Sequence, residues 1–92
     1  MSGRVSWVRG GEAWIVRVTG DEIELRSTVA WPPGSRVEGV LEGPPAVTVR
    51  VKVHASRKTA QGNFEVRGRL LDAAREIRER LALEAESPNA GS

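Results

Sequence analysis

The stretch Val47-Thr48-Val49-Arg50-Val51-Lys52-Val53-His54-Ala55-Ser56 decides the fold. Apolar and polar residues alternate through it with a strict period of two, and the apolar set is β-branched valine as far as Val53. Only an extended strand places every second side chain on one side, so one face of this segment is buried and the other is wet. The expected inward set is Val47, Val49, Val51, Val53 and Ala55. Thr48, Arg50, Lys52, His54 and Ser56 are expected to face outward.

The same alternation continues on both sides. Beyond a polar loop at 57–62, Phe64, Val66, Gly68 and Leu70 alternate with Asn63, Glu65, Arg67 and Arg69, which gives the last strand. Upstream, residues 36–42 read as a weaker strand, bent or bulged at Gly39. It lies between two rigid turns, Pro32-Pro33-Gly34 and Gly43-Pro44-Pro45. Three earlier strands are expected at 4–9, 13–18 and 22–26. Val5, Trp7 and Arg9 share a face of the first. The second is apolar on both faces over Ala13-Trp14-Ile15-Val16, as a central strand should be. Gly10-Gly11 and Gly20-Asp21 supply tight hairpin turns.

At Asp72 the period becomes helical. Asp72 is placed to cap a helix over about 72–86, with Ala74, Ile77, Leu81 and Ala85 on one stripe and Glu76 four residues before Arg80. So short a helix is not stable alone, and its stripe must dock on the barrel or on a partner, including another copy of the chain. Residues 87–92 are expected to be disordered. The sequence therefore predicts a mainly β fold: a six-stranded antiparallel barrel with one C-terminal helix, a single domain over 1–86.

The chain has 92 residues, of which 39% are hydrophobic and 28% charged, the balance of one small globular domain. It has no cysteine and one histidine, which excludes disulfides, thiolate chemistry and a multi-histidine metal site. A core of this size is too small to enclose a deep active site. Composition thus favours a binding module over an enzyme, with no cofactor and no metal. The net charge of +2 and a pI near 9.9 are compatible, because almost nothing titrates between the carboxylates and the bases. Residues 1–71 carry a net +4 and residues 72–92 a net −2. No run approaches the ~18 apolar residues that span a bilayer. The start, Met1-Ser2-Gly3-Arg4, lacks the apolar stretch of a leader, so a cytoplasmic location without membrane insertion is expected.

Candidate sites are few. Arg50, Lys52, His54, Arg67 and Arg69 fall on the outward faces of the last two strands. They form either an anion or partner surface, or a solvated face that discourages strand-to-strand aggregation. Trp31, beside Pro32-Pro33, is either a partner anchor or a plug for the open end of the barrel. The acidic residues Asp21, Glu22 and Glu24 sit on an exposed hairpin, where paired carboxylates have no cleft to separate their pKa values.

From Ile23 onward the order of features resembles the PilZ domain. Ile23-Glu24-Leu25 is similar to the strand after that family's signature turn. Trp31-Pro32-Pro33-Gly34-Ser35-Arg36-Val37 is similar to its loop and the strand that follows. Gly62-Asn63-Phe64-Glu65-Val66-Arg67-Gly68-Arg69-Leu70-Leu71-Asp72 is similar to its closing strand and the step into its final helix. The resemblance covers roughly 60 residues. It implies a bacterial signalling domain with a six-stranded barrel. Many members bind cyclic di-GMP and then alter contacts with pilus, flagellar or polysaccharide machinery. Two motifs carry that binding: an N-terminal Arg-x-x-x-Arg, and Asp/Asn-x-Ser-x-x-Gly at a strand turn. Here Arg4 and Arg9 have four residues between them, and Arg17-Val18-Thr19-Gly20-Asp21-Glu22 stands at the second motif with only Thr19 close to its counterpart.

If cyclic di-GMP binds, the resemblance assigns it to Arg4, Arg9, Arg17 and Thr19. Asp21 and Glu22 oppose it by about 1 kcal/mol or more for each close pair of like charges near a surface. The expected function is that of a PilZ-like adaptor acting by protein–protein binding, with cyclic di-GMP binding lost or weak. The alternatives are a working cyclic di-GMP receptor and a small basic barrel that binds nucleic acid. Nucleic acid is disfavoured by the acidic C-terminal region and the shortage of exposed aromatic residues for base stacking.

Overall fold

A computed structural model describes residues 3–43 and 45–84. Six antiparallel strands form a closed barrel: β1 (Arg4–Trp7), β2 (Glu12–Thr19), β3 (Glu22–Ser27), β4 (Arg36–Leu41), β5 (Val47–Lys58) and β6 (Phe64–Leu71). One helix follows, α1 (Arg75–Glu84). The strand order is β1-β2-β3-β6-β5-β4. Two three-stranded meanders are thus joined along β3–β6 and closed along β1–β4, which leaves no free sheet edge. The valine ladder reads as expected through its first part: Val49, Val51 and Val53 are buried in the lumen with Val5, Ile15, Leu25, Leu41 and Val66.

Both ends of the barrel are stoppered. The loop at 28–35 carries Trp31 over one end. Trp31 is 8% exposed and meets Trp7 edge-on, with ring centroids 5.8 Å apart. Its ring is therefore not presented as a partner anchor would be. The Trp7 indole N–H donates to Ser27 Oγ at 3.0 Å, and that hydroxyl donates to the Val29 carbonyl at 2.8 Å. A buried polar group is satisfied in this way where the loop leaves β3. At the other end α1 inserts Leu81, with Ala73 and Ile77 packed against the same core. The Gly3 N–H donates to the Glu84 carbonyl at 2.8 Å. The apolar stripe of the helix is therefore used on its own barrel. Little of it remains for a second copy, and Leu83 is the exposed leucine.

Four local expectations are corrected. Asp72 does not cap the helix: its backbone has φ 54°, its carboxylate lies 3.5 Å from Arg50, and the first helical bond runs from Arg78 N to Ala74 O. Helix α1 therefore starts at Arg75. The expected end of the helix at 85–86 and the tail at 87–92 lie outside the described residues. Arg80 does not turn back to Glu76; it donates to the Pro45 carbonyl at 2.8 Å and comes within 3.8 Å of Glu84. Strand β1 ends at Trp7, so Arg9 lies in a wider turn that Gly11 closes by accepting from Trp7 N. Gly39 is not a bulge, since its register with β1 and β5 is continuous. It is a close approach, where a Cβ would stand 2.5 Å from Val5 Cγ1.

Candidate binding surface

The bulges lie elsewhere, and they shape the outer surface. One interrupts β2 between Ile15 and Arg17, so that Val16 and Arg17 together oppose Glu24 of β3. The other interrupts β5 between Val53 and Ala55, so that His54 and Ala55 together oppose Arg67 of β6. Glu24 and Arg67 are themselves paired across β3 and β6. Both extra residues thus fall on one row across four neighbouring strands. A bulge bends its strand and reverses the inside–outside phase beyond it. Arg17 is turned outward and Val18 inward. In the same way Ala55 faces outward beside Arg67, while Ser56 pairs with buried Val66 and its hydroxyl is buried without a hydrogen-bond partner among the described residues. The sequence expectation for Ala55 and Ser56 is therefore reversed.

The bent row forms a shallow cavity of about 300 Å³, lined chiefly by Arg17, Thr19, Glu22, Glu24, His54 and Arg67. Arg17 approaches Glu24 at 3.9 Å. Two arginines face two glutamates, so these four side chains carry no net formal charge. Of the four residues assigned to a dinucleotide, only Arg17 and Thr19 come together here. Arg9 is in the β1–β2 turn.

Arg4 is held on the β1–β4 seam by Glu42 at 2.8 Å, with Glu12 at 3.6 Å and Ser6 Oγ donating to the same Glu42 carboxylate. The hydrogen bond from Arg4 holds the Glu42 carboxyl below its ordinary range, and the same contact raises Arg4. A depressed carboxylate contributes stability above its unfolded pKa, and that contribution is lost as pH falls through the folded value. Glu42→Gln is therefore expected to lower the urea midpoint at neutral pH. The difference from wild type should vanish as pH is taken below the glutamate range. A difference that persists in acid would show that the ion pair is not its source.

The basic residues of β5 and β6 do not form one continuous patch. Arg50 lies 3.6 Å from Glu38 and 3.5 Å from Asp72, which neutralise it. Arg67 lines the shallow cavity, and His54 lies between that cavity and a second, more open depression. Lys52 and Arg69 face each other across β5–β6, and Lys52 also faces Arg36 across β4–β5. This second row, Arg36–Lys52–Arg69, floors an open depression of about 780 Å³ that Arg78 of α1 also lines. The Arg69 Nε donates to Asp21 at 3.0 Å. Among the described residues, Arg36, Lys52 and Arg78 have no acidic partner within ion-pair distance. Sequence reasoning missed Arg36 and Arg78. Arg36 is legible as an outward strand residue, but its place opposite Lys52 depends on a register set by nonlocal pairing.

No three acidic or histidine side chains among the described residues are grouped to hold a metal ion, and no described helix is long and apolar enough to cross a membrane. Comparison with family models, with curated proteins and with solved structures gives no match. The class is therefore defined by the architecture alone: a closed six-stranded antiparallel barrel, stoppered by a helix and a tryptophan, with a charged outer skin.

Proposed function

We propose that this chain is a PilZ-like bacterial adaptor. It binds an acidic surface of another protein through the outer face of β4, β5 and β6, and it has lost effective cyclic di-GMP binding. A partner from pilus, flagellar or polysaccharide machinery is the expectation carried by the family resemblance. One observation carries the reading. Where a dinucleotide would be gripped, Glu22 and Glu24 share the cavity with Arg17 and Arg67, while unneutralised positive charge is displaced to the neighbouring row. A dianionic ligand gains no net attraction in the first place, whereas an acidic protein surface gains it in the second. Catalysis has no support in the arrangement, because the carboxylates and the lone His54 sit in open, shallow ground.

Two measurements test this. Titration calorimetry with cyclic di-GMP should give no saturable heat. Binding in the micromolar range that disappears in Arg17→Ala would instead establish the receptor reading, which Arg17 and Thr19 on one cavity favour. Crosslinked capture from a native bacterial extract should retain a partner with wild type and lose it with Lys52→Glu/Arg69→Glu. Retention by that variant, with its fold intact, would remove this face from the proposal.

A further inference from the structure

The row Arg36–Lys52–Arg69 has a feature that a generic basic face does not require. Like charges directly opposite on paired strands destabilise a sheet, and here three stand side by side on three adjacent strands. Arg78 adds a fourth from near the N-terminal end of α1, where the helix dipole disfavours cations. Two carboxylates border the depression. Asp21 is engaged with Arg69, and Asp72 lies beside Arg50. Neither neutralises Arg36, Lys52 or Arg78. Four cations therefore converge at the junction of barrel and helix with charge left over, at a cost to the ligand-free fold.

We propose that this junction is a binding site for an oligophosphate anion, a chain of two or more linked phosphates. Three of the four cations are arginines, whose planar forks suit phosphate oxygens, and Lys52 between two of them supplies a point charge. The Asp21 contact fixes the Arg69 guanidinium through Nε and leaves its terminal nitrogens for a ligand. Strands lie roughly 4.8 Å apart, so the row extends across about 10 Å. A linked phosphate chain follows such a row, whereas a single phosphate reaches only part of it. The rest of the lining is His54 and the aliphatic or small residues Leu70, Leu71, Ala73 and Ala74. Among the described lining residues the one ring is the His54 imidazole, and no Trp, Tyr or Phe offers a larger face to a base, so recognition is assigned to the phosphate chain and not to a nucleobase. The site rests on the adaptor reading only for its location on the same face, and it is tested on the isolated chain, so failure here leaves partner capture untouched.

The test is titration with tripolyphosphate at near-physiological ionic strength, followed by calorimetry and by amide chemical shifts. Saturable one-site binding is expected, with the largest shifts around residues 36, 52, 69 and 78. Arg36→Gln/Lys52→Gln should weaken it about tenfold or more, the scale of one charge-assisted hydrogen bond lost. Arg9→Gln/Lys58→Gln removes the same charge elsewhere and should weaken it less than about threefold, the scale of screened surface charge. Absence of saturation, or equal weakening by the two double variants, would overturn the proposal, the latter by showing that net charge alone attracts the anion. If the first variant fails to fold, the wild-type shift map decides, and shifts centred on another face refute the site. A nucleoside triphosphate should bind within about threefold of tripolyphosphate. A preference of about tenfold or more for the nucleotide would refute recognition by phosphate alone.

Discussion

Gly68→Ala is expected to destabilise the fold by about 3 kcal/mol, at the upper end of the usual cost of overpacking a core. Gly68 sits in β6 with its α-carbon toward the lumen, paired on one side with Ile23 and on the other with Val53. A Cβ built there collides with the Lys52 carbonyl oxygen and comes within 2.7 Å of Val51 Cγ1. A side chain can rotate away from an intruding methyl, but a carbonyl hydrogen-bonded into a sheet cannot. Relief requires β5 and β6 to separate at the step before the His54 bulge. The requirement at Gly68 is thus one of space and not of backbone conformation. Against a total stability of about 5–10 kcal/mol for a domain of this size, the loss would be plain as a lower urea midpoint at unchanged slope.

A midpoint shift below about 0.5 kcal/mol, the range of an ordinary surface substitution, would mean that the two strands already sit farther apart than described. Gly62 gives the internal comparison. A Cβ there meets nothing within 4 Å, and its φ of 92° makes the penalty a conformational one of about 1 kcal/mol.

The barrel was legible because its information is local. Val49, Val51 and Val53 declare a strand by alternation alone, and Ile23 and Leu25 do the same against Glu22 and Glu24. The change of period after Leu71 marks the helix equally well, because Ile77 and Leu81 are spaced for a turn of helix and not for a pleat. What the sequence does not carry locally is phase and register. Nothing about His54 distinguishes it from Lys52 two residues earlier. The bulge arises where the closed sheet must bend, and only then does Ser56 turn inward. Asp72 has the chemistry of a helix cap, yet its carboxylate goes to Arg50 from another strand, which no neighbour in sequence foretells. The candidate surface divides along the same line. Lys52 and Arg69 are readable as outward cations. Their union with Arg36 and Arg78, and the neutralisation of Arg50 by Glu38, are products of pairing between segments far apart in the chain.

Leu81→Ala is expected to cost a similar amount, about 3 kcal/mol, within the span observed for buried leucine truncations. Leu81 is fully buried and is the deepest contact of a ten-residue helix that lacks the length to persist in water. Its other ties to the barrel include the partly buried Ile77, the Gly3–Glu84 backbone bond and the reach of Arg80 to the Pro45 and Glu42 carbonyls. Truncation leaves a cavity at the barrel mouth and removes the main reason for α1 to remain folded. Unfolding in urea should therefore begin earlier, with helical signal lost ahead of the strands if the helix detaches first. Leu83→Ala is the control: Leu83 is 85% exposed, and its loss should stay within about 0.5 kcal/mol. The pair also bears on the oligophosphate site. Arg78 reaches that depression only because α1 is docked, so Leu81→Ala should weaken tripolyphosphate binding although it alters none of the cations. Equal urea midpoints for the two leucine variants would mean that the helix does not stopper the barrel, and the contribution of Arg78 to the row would fall with it.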